Sequence, residues 1–123
     1  MIYTITTANT GLVATDANSI FTLDSLPPQV EVYVGDFDVA GPATGTILFT
    51  TQNGATLTYT AATDLKFSNL GAVPASFAAC TYVPVVNNAY DPAIRHICVN
   101  PKGALAAASP APGYTIQFRA RIK

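Results

Sequence analysis

The chain has 123 residues, of which 50% are hydrophobic and only 11% charged, and its formal net charge is −1. The length fits one domain with a substantial core, and the near-neutral charge leaves no field to attract nucleic acid or an anionic membrane. No run approaches the roughly 18 to 20 apolar residues of a membrane-spanning helix. Because the charged fraction is well below the roughly 25% of typical soluble domains, the composition favours a secreted or cell-surface protein, or one packed in an assembly.

Short β-rich runs separated by turn signals predict an all-β fold. The strands are expected near residues 1–8, 18–23, 30–34, 45–51, 56–60, 64–68, 77–84, 93–99 and 113–122. Gln52, Asn53 and Gly54 lie between two of these runs and predict a turn. Strands at this spacing indicate a β-sandwich or a small barrel, formed as a single domain over residues 1–123.

The closing strand alternates with a period of two. Its predicted core face carries Tyr114, Ile116, Phe118, Ala120 and Ile122. Its predicted water face carries Thr115, Gln117, Arg119, Arg121 and Lys123. Since cations on an exposed strand discourage pairing with another sheet, we interpret the three basic residues as protection of a sheet edge.

Cys80 and Cys98 lie on two strand-like runs on either side of a turn whose centre is Ala89. If the hairpin folds symmetrically about that centre, the two cysteines face each other, because each lies nine residues from Ala89. We therefore predict a disulfide between them, which implies an oxidising compartment. Two cysteines and one histidine do not supply the four ligands of a structural zinc site.

His96 is the only histidine in the chain. In the predicted hairpin it faces Tyr82 among apolar neighbours, a setting typical of a packed, hydrogen-bonded histidine. The sequence has no nucleophile elbow and no phosphate-binding or dinucleotide-binding loop. We therefore expect no catalytic residue, no cofactor and no enzyme activity.

Two acidic residues, Asp36 and Asp38, stand two positions apart in a predicted loop. Such a pair is a minimal start for calcium coordination, although a loop aspartate more often caps a turn with its own backbone. These two carboxylates are the metal-binding hypothesis that the sequence offers.

The N-terminal part of the chain carries a recognisable pattern. It reads Tyr-Thr-Ile-Thr-Thr-Ala-Asn-Thr-Gly over residues 3–11, Ala-Thr-Asp-Ala-Asn-Ser over residues 14–19 and Leu-Asp-Ser-Leu-Pro over residues 23–27. This resembles the Ig-like "conserved repeat" family of bacterial cell-surface domains, also called domain of unknown function eleven, whose members read Tyr-Thr-Ile-x-x-x-Asn-Thr-Gly and then Thr-Asp-x-Leu-Pro. Leu23 stands where the family has Thr. The segments 100–103 and 118–123 are similar to the end of its proteobacterial exported subgroup.

The resemblance implies an Ig-like antiparallel β-sandwich of about seven to nine strands, with a structural or adhesive role outside the cell and no active site. In that subgroup a further strand-forming segment and a secretion signal usually precede the Tyr-Thr-Ile motif, with which this chain opens. We therefore expect a sandwich without its N-terminal strand. Either the chain is a fragment of a longer subunit, or a neighbouring copy supplies the strand.

Ig-like surface proteins can also join a buried lysine to an asparagine with the help of an acid. Lys66, Lys102 and Asn100 are available for such a bond, and their spacing singles out no pair.

Two functional hypotheses follow, from different classes. The first is a structural, non-enzymatic subunit of an extracellular bacterial filament or surface assembly, joined into a homopolymer by β-strand addition. Residues 1–8 and 114–123 are expected to flank its assembly groove. The assembly residues are expected to be Tyr3, Ile5, Ile116, Phe118 and Ile122.

The second hypothesis is a monomeric adhesin-type recognition module. Such a module binds a glycan or a protein through its loops, here with calcium held by Asp36 and Asp38. A filament subunit self-associates without a ligand, whereas the adhesin module stays monomeric.

Overall fold

The computed structural model describes residues 1–38 and 45–123, and in this part of the chain the strands form two antiparallel sheets. The strands are β1 (Ile2–Ala8), β2 (Thr22–Ser25), β3 (Val30–Val34), β4 (Ile47–Gln52), β5 (Leu65–Ser68), β6 (Ala89–Asp91), β7 (His96–Val99) and β8 (Gly113–Ile122). The described helical residues are one short α-helix, α1 (Ala61–Asp64), and a 3-10 turn over Phe77–Ala79. The predicted all-β, sandwich-like fold is confirmed.

The larger sheet is built around β8, its longest strand. β1 pairs with one side of β8, from Ile2 opposite Arg119 to Ala8 opposite Gly113. β4 and then β3 pair in line with the other side, and β6 extends the sheet beyond β3. A Cβ atom at position 113 would collide with the backbone of Thr7 and Ala8. Glycine at the start of β8 therefore allows β1 to approach closely.

The smaller sheet has β7 in the middle, between β2 and β5. Tyr82 forms an isolated bridge on the outer side of β5, where its N–H donates to the Phe67 carbonyl at 2.9 Å. Beside β7, Thr58 and Lys102 form a second isolated bridge. These contacts join the irregular segments to the sheet without lengthening it.

The core lies between the two sheets. Its centre is one face of β8, where the side chains of Tyr114, Ile116, Phe118 and Ala120 are at most 1% exposed. The smaller sheet contributes the buried side chains of Phe67, Ile97 and Val99. Burying side chains of this size contributes about 1.5–3 kcal/mol each, so the alternation of β8 largely determines which face of the larger sheet is buried.

Ile122 departs from the predicted core face, because its side chain is 68% exposed. It lies at the end of β8, beyond the residues that have both β1 and β4 beside them. The alternation gave the correct direction for four of the five predicted core residues. The alternation does not indicate where along β8 the core ends and the side chains become exposed.

The predicted edge-protecting role of Arg119, Arg121 and Lys123 is wrong for the first two, because β8 is a central strand. Arg121 instead lies 3.4 Å from the buried Glu31 carboxylate and 4.2 Å from the centroid of the Tyr90 ring. Arg119 lies over an aromatic ring of its own, that of Phe37, at 5.6 Å. These cations cover the outer face of the sheet rather than its rim.

Several predicted strands do not form as expected. Residues 56–60 and 77–84 contribute only single bridges, at Thr58 and Tyr82. The residues around Ala89, predicted as a turn, are strand β6 and pair with β3. The turn at Asn53 and Gly54 does form, with positive φ angles at both residues. After this turn the chain does not pair with β4; Thr58 forms its isolated bridge with Lys102, and the chain then enters the smaller sheet as β5.

We predict that Phe118→Ala lowers the free energy of unfolding by about 3–5 kcal/mol, because it leaves a cavity in the core. The matched control is Ile122→Ala, a truncation on the same strand at an exposed position, which we expect to cost about 0.5 kcal/mol or less. Urea denaturation of both variants checks this. Equal losses in the two variants would contradict the core described above.

Candidate assembly edge

One side of β1 pairs with β8, and no strand in the described part of the chain pairs with its other side, the open side. Met1 and Ala120 exchange two backbone hydrogen bonds of 2.9 and 3.0 Å, and the Asn9 N–H donates to the Pro112 carbonyl at 2.9 Å. Along an antiparallel strand, every second residue directs its N–H and C=O groups toward the same neighbouring strand. The odd-numbered residues of β1 therefore direct their backbone groups toward β8. The residues with backbone groups directed away from β8 are Ile2, Thr4, Thr6 and Ala8.

No strand within residues 1–38 and 45–123 pairs with this outward side of β1. β1 is seven residues long, and its register with β8 runs without a bulge. It contains no charged residue and no proline. Edge strands of stable monomers usually carry charged residues or proline, because these residues discourage pairing with another chain.

The other strand edges in the described part of the chain differ from β1. β2 is four residues long, and Asp24 lies beside the buried Ile97, on the core side of the strand. Burial raises the pKa of this carboxyl, and the nearby His96 opposes part of the rise; an inward-pointing acid is a recognised edge guard. β5 carries Lys66 and is bridged by Tyr82, while β6 has only three residues. β4 is also uncharged but has only six residues, and residues 39–44, which are separated from it only by Gly45 and Thr46, lie outside the described part.

The side chains of β1 alternate between the core and water. Tyr3 and Ile5 are half-buried against the core, whereas Ile2, Thr4 and Thr6 are exposed. Tyr3 also stacks on the Phe118 ring of β8, with centroids 5.4 Å apart. Since an edge strand has a neighbour on one side only, Tyr3 and Ile5 keep apolar surface that a further strand would cover.

The structure separates the residues predicted to form the assembly groove. Tyr3 and Ile5 lie on the open strand β1, whereas Ile116 and Phe118 are fully buried in the centre of the larger sheet. The predicted groove between the first and last strands is wrong, because β1 and β8 pair directly with each other along the whole of β1. The open backbone groups lie on the far side of β1.

The predicted disulfide between Cys80 and Cys98 is present, with the Cα atoms 6.6 Å apart and both residues buried. The predicted hairpin is wrong, because β7 pairs with β2 and β5 and not with residues 80–84. Cys98 stands between Leu23 and Lys66 in the sheet. The bond therefore ties the segment after β5 to the middle strand of the smaller sheet. It is compatible with an extracellular location.

His96 is buried and hydrogen-bonded, but it does not face Tyr82 across a hairpin as predicted, because Tyr82 pairs with β5. Its Nε2 lies 3.0 Å from the Leu70 carbonyl, which only accepts, so Nε2 carries the proton. Its Nδ1 forms a second hydrogen bond, with the Ser25 hydroxyl at 2.9 Å. Both ring nitrogens of His96 therefore help to join β7 to its neighbours. The Tyr82 hydroxyl donates to the Asp91 carboxylate at 3.0 Å.

Asp64 is a buried polar residue that the sequence pattern did not single out. It is 1% exposed at the end of α1, and one of its oxygens accepts from the Thr60 N–H at 2.8 Å. Burial by itself raises the pKa of this carboxyl, but hydrogen bonds from Thr60, Lys102 and Thr63, with the Lys102 charge, hold it below its usual value. The sequence signal was a threonine followed within one turn by an acid, a pattern typical of a helix start.

The structure brings one of the available lysine and asparagine pairs together. The Lys102 Nζ lies 2.5 Å from the Asn100 Oδ1 and 3.1 Å from the Asp64 carboxylate. Lys66 lies apart from this pair, with its Nζ 4.7 Å from the centroid of the Phe77 ring. The Lys102 ammonium and the Asp64 carboxylate form an ion pair at 3.1 Å. The cluster is therefore better explained as a charge pair that fastens α1 to the end of β7.

The calcium hypothesis for Asp36 and Asp38 stays a prediction. The described residues contain no group of three or more acidic, histidine or cysteine side chains placed to hold a metal ion. Residues 39–44, which follow this pair directly, lie outside the described part.

Asn9, the asparagine of the N-terminal motif, holds two loops together. Its Nδ2 lies 3.0–3.1 Å from the carbonyl oxygens of Val13, Leu105 and Ala106, and its Oδ1 accepts from the Gly11 N–H. The loop after β1 is thereby fixed while its apolar side chains stay in water. Leu12 is 97% exposed and Val13 is 77% exposed.

No family model, no curated protein and no solved structure matches this chain. The resemblance to the Ig-like cell-surface family, carried by residues 3–11 and 23–27, therefore stays a prediction. Among the described residues, no helix is long and apolar enough to cross a membrane.

We predict that Asp64→Asn lowers the free energy of unfolding at neutral pH by about 1–3 kcal/mol, because it removes the ionised partner of Lys102 and weakens the bond to Thr60. Since folding lowers the pKa of Asp64, its contribution is complete above the unfolded-state pKa and is lost as the pH falls through the folded-state pKa.

Urea denaturation of the wild type and the variant between pH 7 and pH 2 measures this difference, which we expect to shrink toward acid pH. Asp16→Asn, which removes a carboxylate from an exposed loop, is the control. A difference between wild type and Asp64→Asn that stays constant over this range would contradict the assignment.

Proposed function

We propose that this chain is a structural, non-enzymatic subunit of an extracellular bacterial filament or surface assembly, and that its copies associate by β-strand addition at the open side of β1. The proposal rests on three properties that β1 combines. β1 offers seven residues of regular backbone, outward N–H and C=O groups with which no strand of residues 1–38 and 45–123 pairs, and no charge or proline.

The energetic argument concerns the backbone groups. Water satisfies the outward N–H and C=O groups of Thr4 and Thr6 in a single copy. Pairing with a second strand replaces those water contacts at a gain of about 0.5–1.5 kcal/mol per hydrogen bond. It also covers the half-buried apolar side chains of Tyr3 and Ile5. Main-chain bonds and alternating side-chain contacts are the two sources of affinity in β-strand addition.

The extracellular setting is supported by the composition and by the disulfide. Because only 11% of the residues of the chain are charged, its surface relies on Thr, Ser, Asn, Gln and Ala for contact with water. The bond between Cys80 and Cys98 is compatible with an oxidising compartment.

A monomeric adhesin-type recognition module is the second candidate. The observation that favours it is the loop fixed by Asn9, which holds the apolar side chains of Leu12 and Val13 in water. Exposed apolar side chains on a fixed loop suit a protein ligand better than a glycan, because they offer no hydrogen bonds. This candidate requires a chain that remains monomeric without its ligand.

Replacing Thr4 with proline tests the first candidate. The N–H that is lost points away from β8, so the pairing with β8 is kept, and proline is tolerated on strand edges. We expect Thr4→Pro to stay folded and to disperse the assemblies formed by the wild type, whereas the matched control Thr4→Ala, which keeps the N–H, assembles normally. Light scattering and electron microscopy measure assembly, and circular dichroism verifies folding.

Two outcomes would contradict the proposal. If a folded Thr4→Pro variant assembles as the wild type does, then β1 is not the contact strand. If the wild type is monomeric at all concentrations, self-association fails and the recognition module becomes the better explanation. Where Thr4→Pro does not fold, Thr6→Pro repeats the test at the next outward residue.

A further inference from the structure

We propose that the strand added to β1 is β1 of a second copy, running antiparallel, with a two-fold axis beside Ile5. This inference rests on the proposed function, since it identifies the partner of the same open edge. It goes further in fixing the direction, the register and the symmetry of the contact.

The backbone fixes which residues pair. Two antiparallel strands bond through residues whose N–H and C=O groups point toward each other, and on β1 these are the even-numbered residues from Ile2 to Ala8. A two-fold axis beside Ile5 places Ile2 opposite Ala8 and Thr4 opposite Thr6 of the other copy. All four outward residues of each copy are then used, which gives about eight hydrogen bonds.

Other registers are poorer. A shift by two residues leaves an outward residue of each copy without a partner. A shift by one residue sets outward groups against inward ones and places the core side chains of one copy beside the water-facing side chains of the other. The register centred on Ile5 is therefore the one that the length and direction of β1 favour.

The side chains of β1 are self-complementary in this register. On the water face, the exposed Thr4 meets Thr6 of the other copy, and opposed threonines are a favourable pair. On the core face, Ile5 meets Ile5 and Tyr3 meets Thr7. No charged residue lies on β1, so no like charges face each other across the axis. The contact also buries part of the apolar surface that Tyr3 and Ile5 expose in a single copy.

The symmetry limits what this contact can build. A two-fold contact uses the same surface of both copies and closes at two. The larger sheets of two copies join into one continuous sheet, and β1 is then a central strand in both. Any larger assembly is therefore made of such pairs and uses a second surface.

Cysteine cross-linking tests the register. Ile5 and its counterpart form a pair without mutual hydrogen bonds, whose Cα atoms approach to about 4.5 Å, within the range of a disulfide. The described residues contain no free cysteine, so an added one is a single reactive thiol there. We expect Ile5→Cys to form a covalent dimer under mild oxidation. Adding Thr4→Pro should reduce the yield at least tenfold.

Thr7→Cys is the matched control on the same face of β1. In the proposed register Thr7 faces Tyr3 and lies far from its own counterpart, so this variant alone should give little dimer. Where Ile5→Cys does not fold, a mixture of Thr4→Cys and Thr6→Cys, both at exposed positions, should give a mixed dimer in excess over either variant alone.

The outcomes separate this inference from the proposed function. If the wild type associates but neither Ile5→Cys nor the Thr4→Cys and Thr6→Cys mixture cross-links above the Thr7→Cys level, the two-fold pairing is wrong and association uses another surface or register. If light scattering shows that the wild type is monomeric throughout, both proposals fail.

Discussion

The structure depends on the hydrogen bonding of β8 along both of its sides. This strand pairs with β1 on one side and with β4 and β3 on the other, and its buried face forms the centre of the core. Any change that moves β8 by one residue would expose Tyr114 and Phe118 and bury Arg119. The register of three other strands is therefore fixed by the alternation of a single segment.

The central position of β8 leaves β1 as an edge strand. Because the odd-numbered residues of β1 are committed to β8, the N–H and C=O groups of Thr4 and Thr6 must point outward. The edges of the smaller sheet carry an inward acid at Asp24 or a lysine with a bridging tyrosine, at Lys66 and Tyr82. The contrast between these edges and β1 is the physical basis for proposing that this side of the molecule meets another copy.

Where the sequence pattern was local, it predicted the structure well. β3 and β8 match their predicted bounds because strict alternation in strands depends only on near neighbours. The disulfide was predicted correctly from a hairpin that does not exist. Cys98 lies on the middle strand of the smaller sheet, and the chain returns to it after the irregular segment that contains Phe77–Ala79.

What the pattern could not predict were the features set by distant residues. The cations Arg119 and Arg121 looked like edge protection, since only the pairing of β8 on both sides reveals a central strand. The buried Asp64 escaped notice because its partner Lys102 lies far away in sequence. The strand of the candidate edge was predicted, but its open side follows from tertiary pairing.

Amide hydrogen exchange, resolved residue by residue by NMR at increasing protein concentration, tests the central claim most directly. The amides of Tyr3 and Ile5 bond to β8 and should be protected at every concentration. Those of Thr4 and Thr6 should exchange rapidly in dilute protein and become protected as the mass measured by light scattering rises. If the mass rises while Thr4 and Thr6 continue to exchange rapidly, β1 is not the strand through which the copies meet.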